Sequence, residues 1–299
     1  MNNYYAVDPY EHAAVRDAML LKISAFPAAR WFALIDRGFE HGLKHFGANG
    51  ENEYCLYRHG RLERLAEVSP CLISLSNFSP ERLKGFLGSL LVHCRTRPML
   101  SFIQSGRTGD EIADGWQAFL EVETDDAQRF LLRFADTRVL PALARCTKAI
   151  WDGLSNGLEE WLIVNRTGEM EALPLLKTGT VSLGNTGKAV IDSNEFACLL
   201  ESGLPDALAD QLHEHFPNLL SERGGAANYQ LLQATCDLAK KYGLEAFPEQ
   251  MALSVAVLFS QGNLLEDPQF ESWMQQKPWS GGSLEAALGE YLEKMETTQ

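Results

Sequence analysis

The pentapeptide Gly153-Leu154-Ser155-Asn156-Gly157 carries the G-x-S-x-G pattern of a serine nucleophile. Hydrolases with this pattern place a strand before the serine and a helix after it, so that the hydroxyl is exposed on a sharp turn. In this sequence a helical pattern precedes Ser155 and a strand pattern follows it. His213 and His215 lie downstream, but they are two residues apart on a predicted helix and therefore face different directions. A serine hydrolase using Ser155 is kept only as an alternative function.

His41 and His45 are four residues apart and could share one face of a helix as metal ligands. No third ligand stands nearby in the sequence, so a packed or solvated histidine pair is the stronger interpretation. The glycines of segment 179–188 do not have the G-x-x-x-x-G-K-[ST] spacing of a phosphate-binding loop. These residues predict no metal site, no cofactor and no catalytic constellation.

The charge balance argues against nucleic acid as a partner. The chain of 299 residues has 26 basic and 40 acidic residues, a formal net charge of −14. Such an acidic protein repels phosphate backbones unless it carries a local basic patch. The one concentrated basic run, Arg58 to Arg64, is interrupted by Glu63 and is typical of a solvated turn. The sequence therefore predicts no nucleic-acid binding.

Cysteine spacing and hydropathy indicate a cytoplasmic protein. No C-x-x-C pair is present, so the cysteines are expected to be buried thiols in a reducing compartment. The N-terminus has neither the basic nor the apolar region of a secretion signal. The longest apolar run, Met251 to Phe259, is about half as long as a membrane-spanning helix, so no membrane span is expected. The six cysteines are Cys55, Cys71, Cys94, Cys146, Cys198 and Cys236.

The first part of the chain alternates between strand and helix patterns. Short apolar or alternating runs predict strands at 31–36, 54–57, 62–68, 70–75 and 99–103. Two further hairpins are predicted within 120–134 and 160–173, and amphipathic helices lie between the strands. Helices are also predicted from Asp8, as N-cap, to about Ser24 and over 139–150. This order is typical of an α/β lobe with a mixed sheet and flanking helices.

The last part of the chain is predicted to be entirely helical. Segment 176–191 is rich in Gly and Thr and is the best candidate for a linker. We therefore expect an α/β lobe over 1–175, a linker over 176–191 and a helical lobe over 192–299. Gly203 is expected to end the first helix of that lobe, and the nearly all-apolar helix 248–259 is expected to be buried.

The stretch from Phe130 to Pro141 joins a predicted strand to a predicted helix. Phe130 to Phe134 has the alternation of a strand, and Asp136 offers a helix N-cap. Asp136 and Arg138 have two interpretations, an internal cap with an ion pair or a contact with a partner. The tryptophans of this lobe are likewise either core residues or part of a groove for an apolar segment of a partner.

Several short motifs resemble the adaptor-chaperone family of bacterial type VI secretion systems. Trp31 to Asp36 is similar to the opening strand of that family, and Arg133-Phe134-Ala135-Asp136-Thr137-Arg138 is similar to its most recognisable motif. The family usually has an aromatic residue and a proline where this chain has Ala135 and Thr137. The helical part resembles the family through 212–217 and 241–244.

The resemblance implies a non-catalytic protein with an α/β lobe and a helical lobe. Family members bind one toxic effector in the producing cell, often through its N-terminal region, and help to load it onto the VgrG spike protein. On this basis Trp116, Phe134, Asp136 and Arg138 are the candidate partner-binding residues. A regulatory module that binds a small ligand is the remaining alternative.

Overall fold

A computed structural model describes residues 4–40, 46, 52–175 and 187–298, and the chain forms two compact units. One unit contains residues 9–202, and the other contains residues 4–8 together with 203–298. The division falls between Ser202 and Gly203, whereas the predicted lobes are 1–175 and 192–299. Within the predicted linker 176–191, residues 176–186 lie outside the described part, and Ala189–Ile191 forms a strand.

The unit of residues 9–202 contains two sheets. The larger has the strand order β2-β3-β1-β4-β7-β8 and is antiparallel throughout. The smaller has the order β6-β5-β9, in which β5 pairs parallel to β9 and antiparallel to β6. The strands are β1 (Arg30–Asp36), β2 (Glu53–Cys55), β3 (Pro70–Ser74), β4 (Leu100–Ser105), β5 (Glu121–Thr124), β6 (Arg129–Leu131), β7 (Leu158–Val164), β8 (Met170–Ala172) and β9 (Ala189–Ile191).

Twelve α-helices lie in the described residues. They are α1 (His12–Ala25), α2 (Pro80–Cys94), α3 (Gly109–Gly115), α4 (Leu140–Cys146), α5 (Lys148–Ser155), α6 (Ser193–His215), α7 (Pro217–Ser221), α8 (Gly225–Tyr242), α9 (Phe247–Phe259), α10 (Asn263–Glu266), α11 (Pro268–Gln276) and α12 (Leu284–Thr298). Three short 3-10 helices cover Arg37–Glu40, Gly60–Val68 and Gln117–Phe119. The predicted α/β class with a helical C-terminal part is confirmed. No helix of the described ranges is long and apolar enough to cross a membrane.

The central strands are buried on both faces. β3 and β4 are buried along their whole length, and β1 is buried from Trp31 to Asp36. Because side chains alternate along a strand, such strands need apolar cover on both sides of the sheet. Phe32, Leu34 and Ile103 share a core cluster with residues of α3 and α5. α1 and α2 pack against each other, and the Tyr10 hydroxyl donates to the Leu91 carbonyl at 2.8 Å.

The predicted strand over 62–68 is wrong, because the segment lies in the 3-10 helix Gly60–Val68. Leu62, Leu65 and Val68 recur every third residue, which is the period of a 3-10 helix rather than of a strand. Only Leu62 of this segment is buried. The partner of β2 is instead β3, with Cys55 opposite Cys71.

Three predicted helix boundaries are also wrong. α1 begins at His12 rather than after Asp8, whose Oδ1 instead accepts from the Ala226 amide at 3.3 Å. The predicted helix over 139–150 is divided at Thr147, which has φ −130° and ψ 80°. α6 does not end at Gly203 but continues to His215 with Pro205 inside it. A β-carbon at Gly203 would meet no atom within 4 Å, so the glycine here marks no tight turn.

Two pairs of cysteines form disulfides, so the prediction of free thiols is wrong for four of the six. Cys55 pairs with Cys71 across β2 and β3, and Cys146 of α4 pairs with Cys198 of α6. The two free thiols, Cys94 and Cys236, are buried as expected. This pairing could not be read from the sequence, because the paired cysteines are 16 and 52 positions apart and are brought together only by the fold.

The helical unit has its core between α8, α9 and α12. Leu253, Val257 and Leu264 are fully buried within it, together with Phe270 and Met274 of α11. Residues 4–8 pack on the same unit. There the Asn228 side-chain amide donates to the Tyr4 hydroxyl at 2.8 Å.

Candidate partner-binding surface

The end of β1 is joined to the turn after β6 by a buried carboxylate. Asp36 is 1% exposed, and its Oδ2 accepts from Nη2 of Arg133 at 2.8 Å while its Oδ1 accepts from the Gly38 amide at 2.9 Å. Burial raises the pKa of Asp36, and the Arg133 charge opposes that rise. A β-carbon at Gly38 would lie 2.8 Å from Nη2 of Arg133 and 2.9 Å from Oδ1 of Asp36, so a side chain at this position would displace the ion pair.

Asp136 and Arg138 form a second ion pair within the same turn. Asp136 is 3% exposed. Its Oδ1 accepts from the Arg138 amide at 2.9 Å and from Arg138 Nε at 3.1 Å, while Oδ2 accepts from Nη2 at 2.8 Å. A two-pronged contact of this kind fixes the orientation of the guanidinium as well as its position. The expected N-cap role is wrong, since α4 begins at Leu140 after Val139, but the internal ion pair is present.

The two arginines meet at one aromatic ring. The Arg133 guanidinium lies 4.8 Å and that of Arg138 5.6 Å from the centre of the Phe39 ring. Arginine packed over an aromatic face gains cation–π attraction. The Arg133 side chain remains 42% exposed, whereas that of Arg138 is 15% exposed. Arg133 is therefore the member of this junction that a partner can reach.

Trp116 and Phe134 lie in the core rather than at the surface. Each is 1% exposed, and their rings meet edge to face at 5.1 Å. Trp116 stacks on Trp161 at 5.5 Å, and Trp161 stacks on Trp151 at 5.4 Å. The indole nitrogen of Trp116 donates to the Leu154 carbonyl at 2.9 Å, so the ring is also satisfied as a donor. Of the four predicted partner-binding residues, three therefore form one buried turn, with Trp116 packed against it.

The G-x-S-x-G pattern is explained by packing. A β-carbon at Gly153 would lie 2.1 Å from the Phe119 ring, and Gly157 has φ +73°, a conformation that favours glycine. Ser155 is 1% exposed, and its hydroxyl donates to the Trp151 carbonyl at 2.7 Å. The hydroxyl is thus held inside the last turn of α5, where no substrate reaches it.

Within the described ranges, no group of three or more His, Cys, Asp and Glu side chains has the arrangement of a metal site. His41 and His45 lie outside those ranges, as does most of the glycine-rich segment 179–188.

A surface that the sequence analysis missed lies in the helical unit. α9 was expected to be buried, but Phe259 is 56% exposed, and one side of the helix lines an apolar groove of about 660 Å³. We refer to it as the α9–α12 groove. It is lined by Phe216, Pro248, Met251, Ala252, Val255, Ala256, Phe259, Glu285, Leu288, Gly289, Leu292 and Glu293. The signal available in the sequence was α12, whose apolar residues recur at helical spacing between glutamates.

Comparison with known proteins gives one match. No curated protein and no solved structure matches the chain. A family model matches the region from Trp31 in β1 to Trp151 in α5, which contains Asp36, Arg133, Asp136 and Arg138. Residues 31–151 match the family model described as "Domain of unknown function (DUF4123)".

Proposed function

We propose that this chain is a non-catalytic adaptor that binds a toxic effector of a type VI secretion system and helps to load it onto the VgrG spike protein. The observation that carries the proposal is the family match over residues 31–151, because this family is known as an effector-loading domain. The motif Arg133 to Arg138, which prompted the resemblance, lies inside the matched region.

The geometry of the matched region supports a scaffolding role for that motif. Asp36 pairs with Arg133, Asp136 pairs with Arg138, and both arginines lie over Phe39. These contacts fasten the turn after β6 to the end of β1. Networks of buried, mutually satisfied polar groups specify one arrangement of the chain. We infer that the motif holds the fold, and that Arg133 is its only member offered to a partner.

The proposed site of action is the cytoplasm of the producing cell. An adaptor there would meet the effector before secretion. The two cysteine pairs would meet reducing conditions in that compartment. We therefore propose that the protein also functions when these cysteines are reduced.

Affinity purification from the native cell tests this function. The tagged chain, expressed from its own locus, is expected to enrich one effector and VgrG over a strain that carries the tag alone. The effector should also disappear from the culture supernatant when the gene is deleted, while secretion of other effectors continues. Normal effector secretion in the deletion strain, with no enriched partner, would refute the adaptor role.

A further inference from the structure

The α9–α12 groove has the shape of a site for a helix. Pro248, Met251, Val255 and Phe259 follow one another at three- and four-residue spacing and so share one face of α9. α12 is the other wall of the groove, and the two helices pack against each other. α9 has 13 residues and is therefore about 20 Å long, which matches an amphipathic helix of about four turns.

The α12 wall of the groove is open at Gly289. A β-carbon at this position would meet no atom within 4 Å, although Gly289 lies within α12. Leu288 beside it is 2% exposed and belongs to the core, whereas Leu292 on the next turn is only partly buried. The absence of a side chain at Gly289 thus leaves room for an apolar side chain from outside.

The charge around the groove selects the kind of occupant. Glu285 and Glu293 are exposed and line it, eight residues apart on α12. Residues 203–299 contain 14 acidic and 5 basic residues, so this unit carries a net negative charge. Anionic lipid and a second copy of this face would both be repelled. A segment with Lys or Arg beside its apolar stripe would be attracted.

We propose that the α9–α12 groove binds an amphipathic helix of a partner protein, with an apolar stripe in the groove and basic residues against Glu285 and Glu293. This inference rests on the proposed adaptor function, and it identifies the chemistry of the segment that the adaptor recognises. The mode is that of a helix laid in a groove, in which anchors at i, i+3 or i+4 and i+7 supply the affinity.

The test uses the full chain and two fluorescein-labelled, 18-residue synthetic helices. Both have leucines at i, i+3, i+4 and i+7; one has lysines beside the stripe and the other has glutamates. Fluorescence anisotropy should show that the lysine peptide binds at least about 10-fold more tightly than the glutamate peptide at low salt, and that high salt reduces the difference. Equal binding of the two peptides, or no binding of the lysine peptide, overturns the proposal.

Gly289→Leu fills the groove without removing any contact. Because it also replaces a helical glycine, it is not expected to lower stability. It should lower the affinity for the lysine peptide about 10-fold or more. The matched control is Gly85→Leu in α2, which also lies in a helix with open space around its Cβ position and should bind as the wild type does. If both variants lose affinity for the lysine peptide equally, or if neither loses it, the groove is not the binding site.

Reversal of the rim charge tests the second half of the proposal. The double variant Glu285→Lys/Glu293→Lys should bind the lysine peptide more weakly and the glutamate peptide more tightly than the wild type does. Glu290 is exposed on α12 but outside the groove, so Glu290→Lys should change neither affinity. Binding of the wild type to anionic vesicles that Gly289→Leu abolishes would assign the groove to lipid instead.

Effector capture separates this inference from the proposed function. If Gly289→Leu captures the effector as well as the wild type does, the groove proposal fails and the adaptor function stands. If the wild type captures no effector, the adaptor function fails whatever the peptides show.

Discussion

At the scale of single residues, the turn after β6 depends on two buried carboxylates, Asp36 and Asp136. Each is almost fully buried, and each is bound by an arginine that lies over Phe39. A buried charge is tolerated only when it is paired and hydrogen-bonded. The junction should therefore respond strongly when one partner is removed.

Arg138→Ala should lower the free energy of unfolding by roughly 3 kcal/mol, because it leaves the Asp136 carboxylate buried without its guanidinium. Arg129→Ala is the control. Arg129 pairs with Glu123 at 3.2 Å but is 48% exposed, and exposed pairs contribute less than about 1 kcal/mol. Urea denaturation gives the unfolding free energy of both variants, and a separate capture assay measures their binding to the effector. An Arg138→Ala variant of wild-type stability that loses effector capture would show that Arg138 contacts the partner instead.

Asp36 should make stability fall as pH rises from the acid side. Its pKa in the folded protein is raised by burial, so the unfolded chain releases this proton at a lower pH than the folded protein does. Ionisation of Asp36 therefore costs stability, beginning at about pH 4, the ordinary value for Asp, and continuing through its raised value. Asp36→Asn cannot ionise.

The difference in unfolding free energy between wild type and Asp36→Asn, measured by urea denaturation from pH 3.5 to 7, should shift in favour of Asp36→Asn as pH increases. A shift in the opposite direction would mean that Arg133 overcomes the cost of burial and that the pKa of Asp36 is lowered.

At the scale of elements, α5 approaches the 3-10 helix Gln117–Phe119 so closely that only glycine fits at position 153. Gly153→Ala should destabilise the protein by about 1 to 3 kcal/mol, since the added methyl group overlaps the Phe119 ring. Gly85→Ala in the exposed middle of α2 should instead stabilise it by up to about 1 kcal/mol. Thermal melts of the two variants should therefore move in opposite directions. A neutral Gly153→Ala would leave the G-x-S-x-G pattern without its packing explanation.

The disulfides make a separate prediction about elements. Protein purified without reductant and then unfolded in iodoacetamide should gain two carbamidomethyl groups, at Cys94 and Cys236, whereas prior reduction should give six. Loops of 16 and 52 residues correspond to roughly 3 and 4 kcal/mol of chain entropy, so reduction should also lower the melting temperature. Six groups without reduction would show that the cysteines are thiols.

The elements that could be predicted are those whose signal is local. β1, β3 and β4 were found because each is a short apolar run, and the hairpins β5–β6 and β7–β8 because polar turns separate them. What could not be predicted depends on contacts between distant residues. The pairing of Cys146 with Cys198 is one example, and the bond between Asp36 and Arg133, 97 positions apart, is another. In the candidate site, the ion pair of Asp136 and Arg138 was one of two interpretations of the sequence, whereas Trp116, predicted to bind a partner, is buried.

At the scale of the whole molecule, the two units differ in what they offer to a partner. Residues 9–202 contain the region 31–151 that matches the DUF4123 family model, and the motif residues of this region are mostly engaged with neighbouring side chains. Residues 203–298 offer an apolar groove lined partly by glutamates.

The proposed loading of an effector onto the spike can be tested by measuring how much effector is retained on immobilised VgrG with and without the purified chain. Retention should rise several-fold with the chain, saturate at a fixed ratio of chain to effector, and not rise with an equal amount of an unrelated acidic protein. Equal retention in the presence and absence of the chain would contradict the proposed loading role.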